Sequence, residues 1–552
     1  MTTATILLPR LRIRSRPKVK RMEHHFPYEN VALWTLAFAA YITVSSYVVF
    51  HVGYMQGDAY SRVDNAFNVI GTRDPHLGAI GLVWPPLPSF LTIPVLLFRG
   101  LWPPLLTQGF AGSIVASACS AGTVVLFNSG LRWAGVLRGM RWVLCAIWVL
   151  NPMTLFYATS LESEPVLIFF AVATLVIFLR WAESRRAALL PLLGIVAGLA
   201  CLSRVEAVVL ALFVGGAVLA RSFHRGVSWR ELETTLLLYA LPALFTFGLW
   251  IGSMAVLVHD PLYLIHSGYG NAGNAALVGT DAPLSTLQWA GGLSYIGSRS
   301  VQLFPAVVPL LAMLAARMIL RPGRLTGLLL LLMGTPIMFV DLYLLHKGQL
   351  TDSLRYQIYV IPFTFVLAVY VLRSLKSRRL LGSFVGVALA TLLGFSNLAT
   401  AVTMGDPHIG KYEYPFISAL ATGQPLAAIN PSALLLTRDA DASRRLASVN
   451  SDHGLVLCDS AQCNIVVTTS PDPTQFVVTS DIDFEAAAAQ PAVYHVEYFL
   501  VPQPAGLSLA NRLNRLYPSL WATGAGFAKL VSDLGGNENW RLYRIIGPTG
   551  RG

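Results

Sequence analysis

Residues 31–88, VALWTLAFAAYITVSSYVVFHVGYMQGDAYSRVDNAFNVIGTRDPHLGAIGLVWPPLP, decide how the chain is read. The first part, 31–53, is apolar and long enough to cross roughly 30 Å of hydrocarbon as a helix. The second, 57–88, gathers Asp58, Arg62, Asp64, Arg73, Asp74 and His76 ahead of a Trp-Pro-Pro-Leu-Pro turn that begins at Trp84. Charged residues make up only 12% of a chain that is 55% hydrophobic. A dense polar island at the edge of an apolar span is costly to keep dry, so it reads as a functional-site hypothesis. Its meaning depends on the side of the membrane it faces.

Outward from this stretch the pattern repeats. Mean hydropathy is +0.58 over 552 residues, which does not describe a soluble protein. Apolar runs of spanning length predict helices at about 31–53, 106–128, 141–159, 164–181, 187–203, 205–221, 232–258, 301–320, 325–345, 356–373 and 380–402. Ser89–Trp102 is too short for a span and reads as an interfacial segment. The expected class is mainly α: a polytopic helical membrane protein of about eleven spans.

Orientation follows from the loops, because short cytoplasmic loops collect Lys and Arg. The segment before the first span carries Arg10, Arg12, Arg14, Arg16, Lys18, Lys20 and Arg21. Every second loop after it is basic: Arg132/Arg138/Arg141, Arg180/Arg185/Arg186, Arg221/Arg225/Arg230, Arg317/Arg321/Arg324 and Arg373/Lys376/Arg378/Arg379. The intervening loops are mixed or acidic. Eleven spans with a cytoplasmic N-terminus satisfy this alternation, placing 57–88 and everything after about residue 403 on the extracytoplasmic side. The net charge of +12 is then a topological signal rather than a nucleic-acid footprint. No cleavable signal peptide is expected, because the first apolar run is too long.

Three parts are expected: a basic cytoplasmic tail (1–30), a transmembrane domain (31–402) and an extracytoplasmic α/β domain (403–552). In the last, GLVLC, CNIVVTTS, QFVVTS, VYHVEYFLVP and WRLYRII read as strands. FEAAAAQ, LSLANRLNRLYPSLW and GFAKLVSDLG read as helices, and together they suggest a largely parallel sheet. Cys458 and Cys463 form a C-x4-C pair on the oxidising side, read as a disulfide staple. Cys119, Cys145 and Cys201 fall inside spans and read as packed thiols.

Predicted topology brings Asp58, Arg62, Asp64, Asp74, His76, Glu162, Glu164, Arg204, Glu206, Asp341, His346, Lys347 and Arg355 to one face. Carboxylates beside cations suit a reaction in which a base takes a hydroxyl proton while cations hold an anionic leaving group, typically phosphate. Each residue also has a plainer reading. Asp58 and Arg62 can form a helix-surface pair, and Glu164 can stabilise a helix start. Glu206 can neutralise Arg204, and Lys347 can mark the membrane interface. No phosphate loop or nucleophile motif is present in 403–552, and no metal-ligand set stands out.

These residues resemble a known family. Span 1 followed by Gly-Asp and a run to Trp-Pro-Pro-Leu-Pro looks like the first external loop of the GT-C membrane glycosyltransferases, which use polyprenyl-phosphate sugars. NPMTLFYATSLESEP is similar to their second acidic loop, and HKGQLTDSLRYQIYVIP to the His-Lys…Arg element of the mannosyltransferase branches. Gly348 stands where that element often has an acid. The resemblance extends to protein-O-mannosyltransferases and aminoarabinose transferases. It implies Asp58 as general base, with Glu164 and Glu162 competing for the second acid. It further implies Arg355 and Arg204 on phosphate, with Arg62, Trp84, Asp341, His346 and Lys347 as further substrate contacts. The implied donor is a lipid-linked sugar, and the acceptor a glycan, lipid or protein hydroxyl. A divalent metal is compatible with the resemblance. Competing readings are a transporter or flippase of lipid-linked sugars, which would keep its polar groups near mid-membrane, and a membrane-anchored scaffold.

Overall fold

A computed structural model describes residues 27–267, 269–270, 289–320, 324–350, 352–424, 426–429 and 435–548. Most of the basic tail, and residues 271–288 of the outer loop 259–300, lie outside the described residues.

All eleven apolar runs form helices, but not all are simple spans. α1 (Pro27–Ser46) continues as a π-turn to Val52 and is followed by a second helix, α2 (Gly57–Gly71), and a short apolar helix, α3 (Leu87–Leu96). Next come α4 (Phe110–Ala134), α5 (Arg138–Val149), α6 (Pro152–Ala158), α7 (Ser163–Ser184), α8 (Leu189–Cys201), α9 (Ala207–Phe223) and α10 (Trp229–Leu257). α11 (Trp289–Leu303), α12 (Val307–Leu320), α13 (Arg324–Gly334), α14 (Pro336–His346), α15 (Val360–Ser374) and α16 (Arg379–Met404) complete the bundle. Among the described residues seven helical stretches are long and apolar enough to span, or nine when two bent pairs are counted. The pair α5–α6 bends by 64° and α11–α12 by 105°. α8 and α9, at 13 and 17 residues, are shorter than a simple span requires. Part of the expected outer loop 259–300 is helical, since α11 starts at Trp289.

The chain is thus a multi-pass helical membrane protein. Close packing needs small residues: a Cβ on Gly194 or Gly198 would fall 2.1 Å from the Tyr239 carbonyl oxygen or 1.9 Å from Thr246 Oγ1, so α8 presses directly on α10. At the end of the bundle where α1 begins, Arg141 donates to Glu29 at 2.7 Å and Asn128 to Asn30 at 2.9 Å.

After a short helix, α17 (Tyr414–Thr422), the C-terminal part contains α18 (Leu435–Val449), β1 (Leu455–Leu457), α19 (Ser460–Thr468), β2 (Phe476–Val477) and α20 (Phe484–Ala489). β3 (Val496–Val501), α21 (Arg512–Leu516), β4 (Ala528–Gly535) and β5 (Trp540–Ile545) follow. The sheet order is β2-β1-β3-β5-β4. β1 pairs in parallel with β2 and β3, whereas β5 pairs antiparallel with β3 and β4, so the sheet is mixed rather than largely parallel.

Two assignments reverse. CNIVVTT lies in α19, because Asp459 accepts from the Ala461 amide at 3.1 Å and starts a helix. AKLVSDLG is strand β4, folded back on β5 by the turn after Gly535 and stabilised by a ladder that no local pattern reveals. The Cys458–Cys463 disulfide is formed, and Cys119, Cys145 and Cys201 are free thiols.

Candidate active site

Four helix starts meet at the end of the bundle that carries the C-terminal domain. Asp58 lies in the first turn of α2, Glu162 caps α7 with Glu164 just inside it, and Glu206 caps α9. A helix N-terminus carries partial positive charge, which explains why acids collect there. Arg355 lies in the single 3-10 turn Leu354–Gln357 that leads into α15.

Arg355 joins these elements. Its Nη1 lies 3.0 Å from Asp58 Oδ2, its Nη2 2.6 Å from Glu162 Oε2 and its Nε 2.5 Å from Glu164 Oε1. Arg204 extends the network: Nη1 reaches the same Glu164 oxygen at 2.5 Å and Ser163 Oγ at 3.2 Å, and Nη2 reaches Glu206 Oε1 at 2.5 Å. Both glutamates of α7 are buried, whereas the Asp58 side chain is 51% exposed. A buried charge persists only when paired and hydrogen-bonded, and here the arginines supply that pairing. Asp58 is the carboxylate at the open edge.

Glu164 sits in a helix first turn and bridges two arginines. Arg62 lies one turn beyond Asp58, yet its Nη1 donates to the Asp58 carbonyl at 3.1 Å rather than to its carboxylate. It approaches Glu162 at 3.9 Å and stacks 4.7 Å over the Trp84 ring. Trp84 thus lies beside the network through Arg62.

Other residues fall elsewhere. His346 is exposed and stacks on Trp289 at 4.4 Å, and Lys347 lies 5.9 Å over the Tyr343 ring. Neither takes part in the network contacts among the described residues. Gly348 has φ +65°, a conformation that an acid at this position would adopt only with strain. Asp64 is buried in α2, bonded by Asn68 at 3.2 Å. Asp74 and Arg73 face the C-terminal domain: Asp74 accepts from the Ile482 amide at 3.0 Å, and Arg73 pairs with Asp481 at 2.9 Å and with Asp483. His76 Nδ1 lies 2.8 Å from the Asp74 carbonyl. Asp341 is buried in α14 with Oδ2 unpartnered.

Sequence reasoning missed Glu413. It is fully buried just after the last span, accepts from Tyr157 at 2.8 Å, and feels the charges of Arg355 and Glu164. Burial pushes its carboxyl up to about 7. The one available signal was an acid lying between tyrosines within a few residues of the last span, in KYEYP. The carboxylates are occupied by arginines, and among the described residues no three His, Cys, Asp or Glu side chains converge as metal ligands.

No protein-family model and no curated protein matches the sequence. Solved structures do. ArnT from Cupriavidus metallidurans bound to undecaprenyl phosphate aligns with a TM-score of 0.53 at 13% identity, over 93% of this chain and 97% of that one. The apo state of ArnT from the same organism aligns at 0.50 and 15%, over 93% and 98%. At such identities the likeness is one of fold: a polytopic helical membrane domain with a small C-terminal sheet domain.

Proposed function

We propose that the protein is a membrane glycosyltransferase that moves a sugar from a polyprenyl-phosphate donor to an acceptor hydroxyl on the extracytoplasmic face. The observation that carries this reading is the ion pair between half-exposed Asp58 and Arg355, whose remaining nitrogens are held by two buried glutamates. A structural neighbour that binds undecaprenyl phosphate supports a lipid-linked donor. The alternation of loop charge supports an extracytoplasmic network, with the N-terminus cytoplasmic and the C-terminal domain extracytoplasmic.

Chemically, Asp58 accepts the proton of the acceptor hydroxyl as its oxygen attacks the anomeric carbon. The bond from that carbon to the phosphate oxygen breaks with inversion, releasing polyprenyl phosphate. A guanidinium has five N–H donors. Arg355 donates one N–H each to Asp58 and Glu164 and pairs with Glu162 through charge alone, which leaves N–H donors on both terminal nitrogens for phosphate oxygens. Arg204 stands behind it as a second cation, and Arg62 on Trp84 holds the first turn of α2. Glu162 and Glu164 act by orienting Arg355.

General-base catalysis contributes about 10²–10⁴-fold. Mass spectrometry of envelope glycans and lipid-linked sugars, in cells with and without the gene, identifies the transferred sugar. Asp58→Asn is then expected to lower its transfer by about 10²–10⁴-fold while the protein inserts normally. Near-normal transfer by this variant would sink the assignment.

A further inference from the structure

We infer that Asp341 and Tyr359 form a subsite for the hydroxyl groups of the donor sugar; this rests on the glycosyltransferase reading above. Asp341 is 2% exposed, and its Oδ2 has no hydrogen-bond partner. The buried hydroxyl of Tyr359, at the start of α15, also lacks one. Each lies within electrostatic reach of Arg204 and Glu206, and Tyr359 also feels Asp341 and Glu164. The two residues therefore flank the ionic network from the α14 and α15 side.

An unpartnered buried polar atom costs about 1–3 kcal/mol, and a carboxyl inside a membrane helix costs more. Replacing such a group by an apolar one of similar size is often neutral or stabilising, so the fold gains nothing from Asp341 as it stands. A ligand can satisfy it. Phosphate oxygens are drawn to the cations Arg355 and Arg204 instead. A carboxyl can accept in either protonation state, so the ligand part left for Asp341 is the neutral one that carries hydroxyls. In a sugar phosphate, those are the ring hydroxyls, adjacent to the phosphate by covalent geometry. Tyr359 both donates and accepts, so the pair can read one hydroxyl in each sense.

The test uses the full-length protein in nanodiscs. Native mass spectrometry compares undecaprenyl phosphate with undecaprenyl phosphate bearing glucose, mannose or arabinose. Wild-type protein is expected to prefer one sugar-bearing lipid over the bare lipid by tenfold or more. Asp341→Leu and Tyr359→Phe are each expected to cut that preference at least fivefold, with bare-lipid affinity held within twofold. The tyrosine variant removes a single oxygen and guards against misfolding of the other. An unchanged preference, equal weakening toward both lipids, or a wild-type protein that binds the bare lipid without any preference would overturn the subsite. Binding of no lipid at all would overturn the donor reading, and the subsite with it.

Discussion

Arg355 shows what a single residue does in this fold. It lies 297 positions from Asp58 and 191 from Glu164 in sequence, yet it pairs with both. Residue chemistry alone singled it out as a planar, permanently charged fork, but not its partners. Removing it leaves buried Glu162 with Arg62 alone, at 3.9 Å, whereas Glu164 keeps Arg204 and Asp58 is half-exposed. Breaking a buried pair costs about 3–5 kcal/mol. Arg355→Gln is therefore expected to lower the thermal midpoint in detergent markedly, with partial rescue on adding Glu162→Gln. Loss of the arginine without thermal consequence would show that the network does not stabilise the fold. Asp64 gives a pH signature. Burial raises its carboxyl from 3.8 to about 8, with Asn68 opposing. The folded protein thus keeps a proton that the unfolded chain releases. The stability this contributes is complete below about pH 4 and is lost as pH rises through about 8, at up to about 1.4 kcal/mol per pH unit. Asp64→Asn should flatten the fall in thermal midpoint between pH 6 and pH 8. Parallel slopes for the two proteins would exclude Asp64 as its source.

At the scale of elements, hydropathy located the long apolar helices but not α11, because burial in lipid demands a continuous apolar run. It did not reveal the bends of 64° and 105°, which fall at breaks marked by Pro152 and Pro305, residues that cannot continue a helix. In the C-terminal domain the β-branched run CNIVVTT reads locally as strand, but the cap at Asp459 and contacts with α2 make it helix α19. Ile465 of α19 is 4% exposed and sits in one apolar cluster with Tyr60, Val63 and Phe67 of α2. Tyr60 Oη lies 2.5 Å from Thr468 Oγ1, and Asn464 donates to Ser61 at 2.9 Å. α2 is thus clamped on one side while its first turn presents Asp58 on the other. Ile465→Ala should cost about 2–5 kcal/mol and speed hydrogen exchange in both helices. Faster exchange confined to the C-terminal domain would show that α2 does not depend on this contact.

Across the whole molecule, the ionic network and the C-terminal domain share one end of the bundle, with the Glu29–Arg141 clamp at the other. The orientation proposed from loop charge has a direct check. Ser377 is exposed in a basic loop, and the Ile482 side chain is 79% exposed in the C-terminal domain. In spheroplasts, a membrane-impermeant maleimide should label Ile482→Cys at once and Ser377→Cys only after permeabilisation. The reverse order would invert the topology and move the candidate site to the cytoplasm. The sequence by itself determined the helical membrane class, the alternation of loop charge, the acid-rich segments between apolar runs and the cysteine pair. Each of these is written in short windows, as hydropathy, charge or spacing. Only the tertiary structure decided that Arg355 holds Asp58, Glu162 and Glu164 together, that His346 and Lys347 lie apart from them, that Glu413 joins the edge of the site, and that the sheet is mixed. Those outcomes depend on which helix ends and strands meet across hundreds of residues, and packing sets that rather than any local pattern.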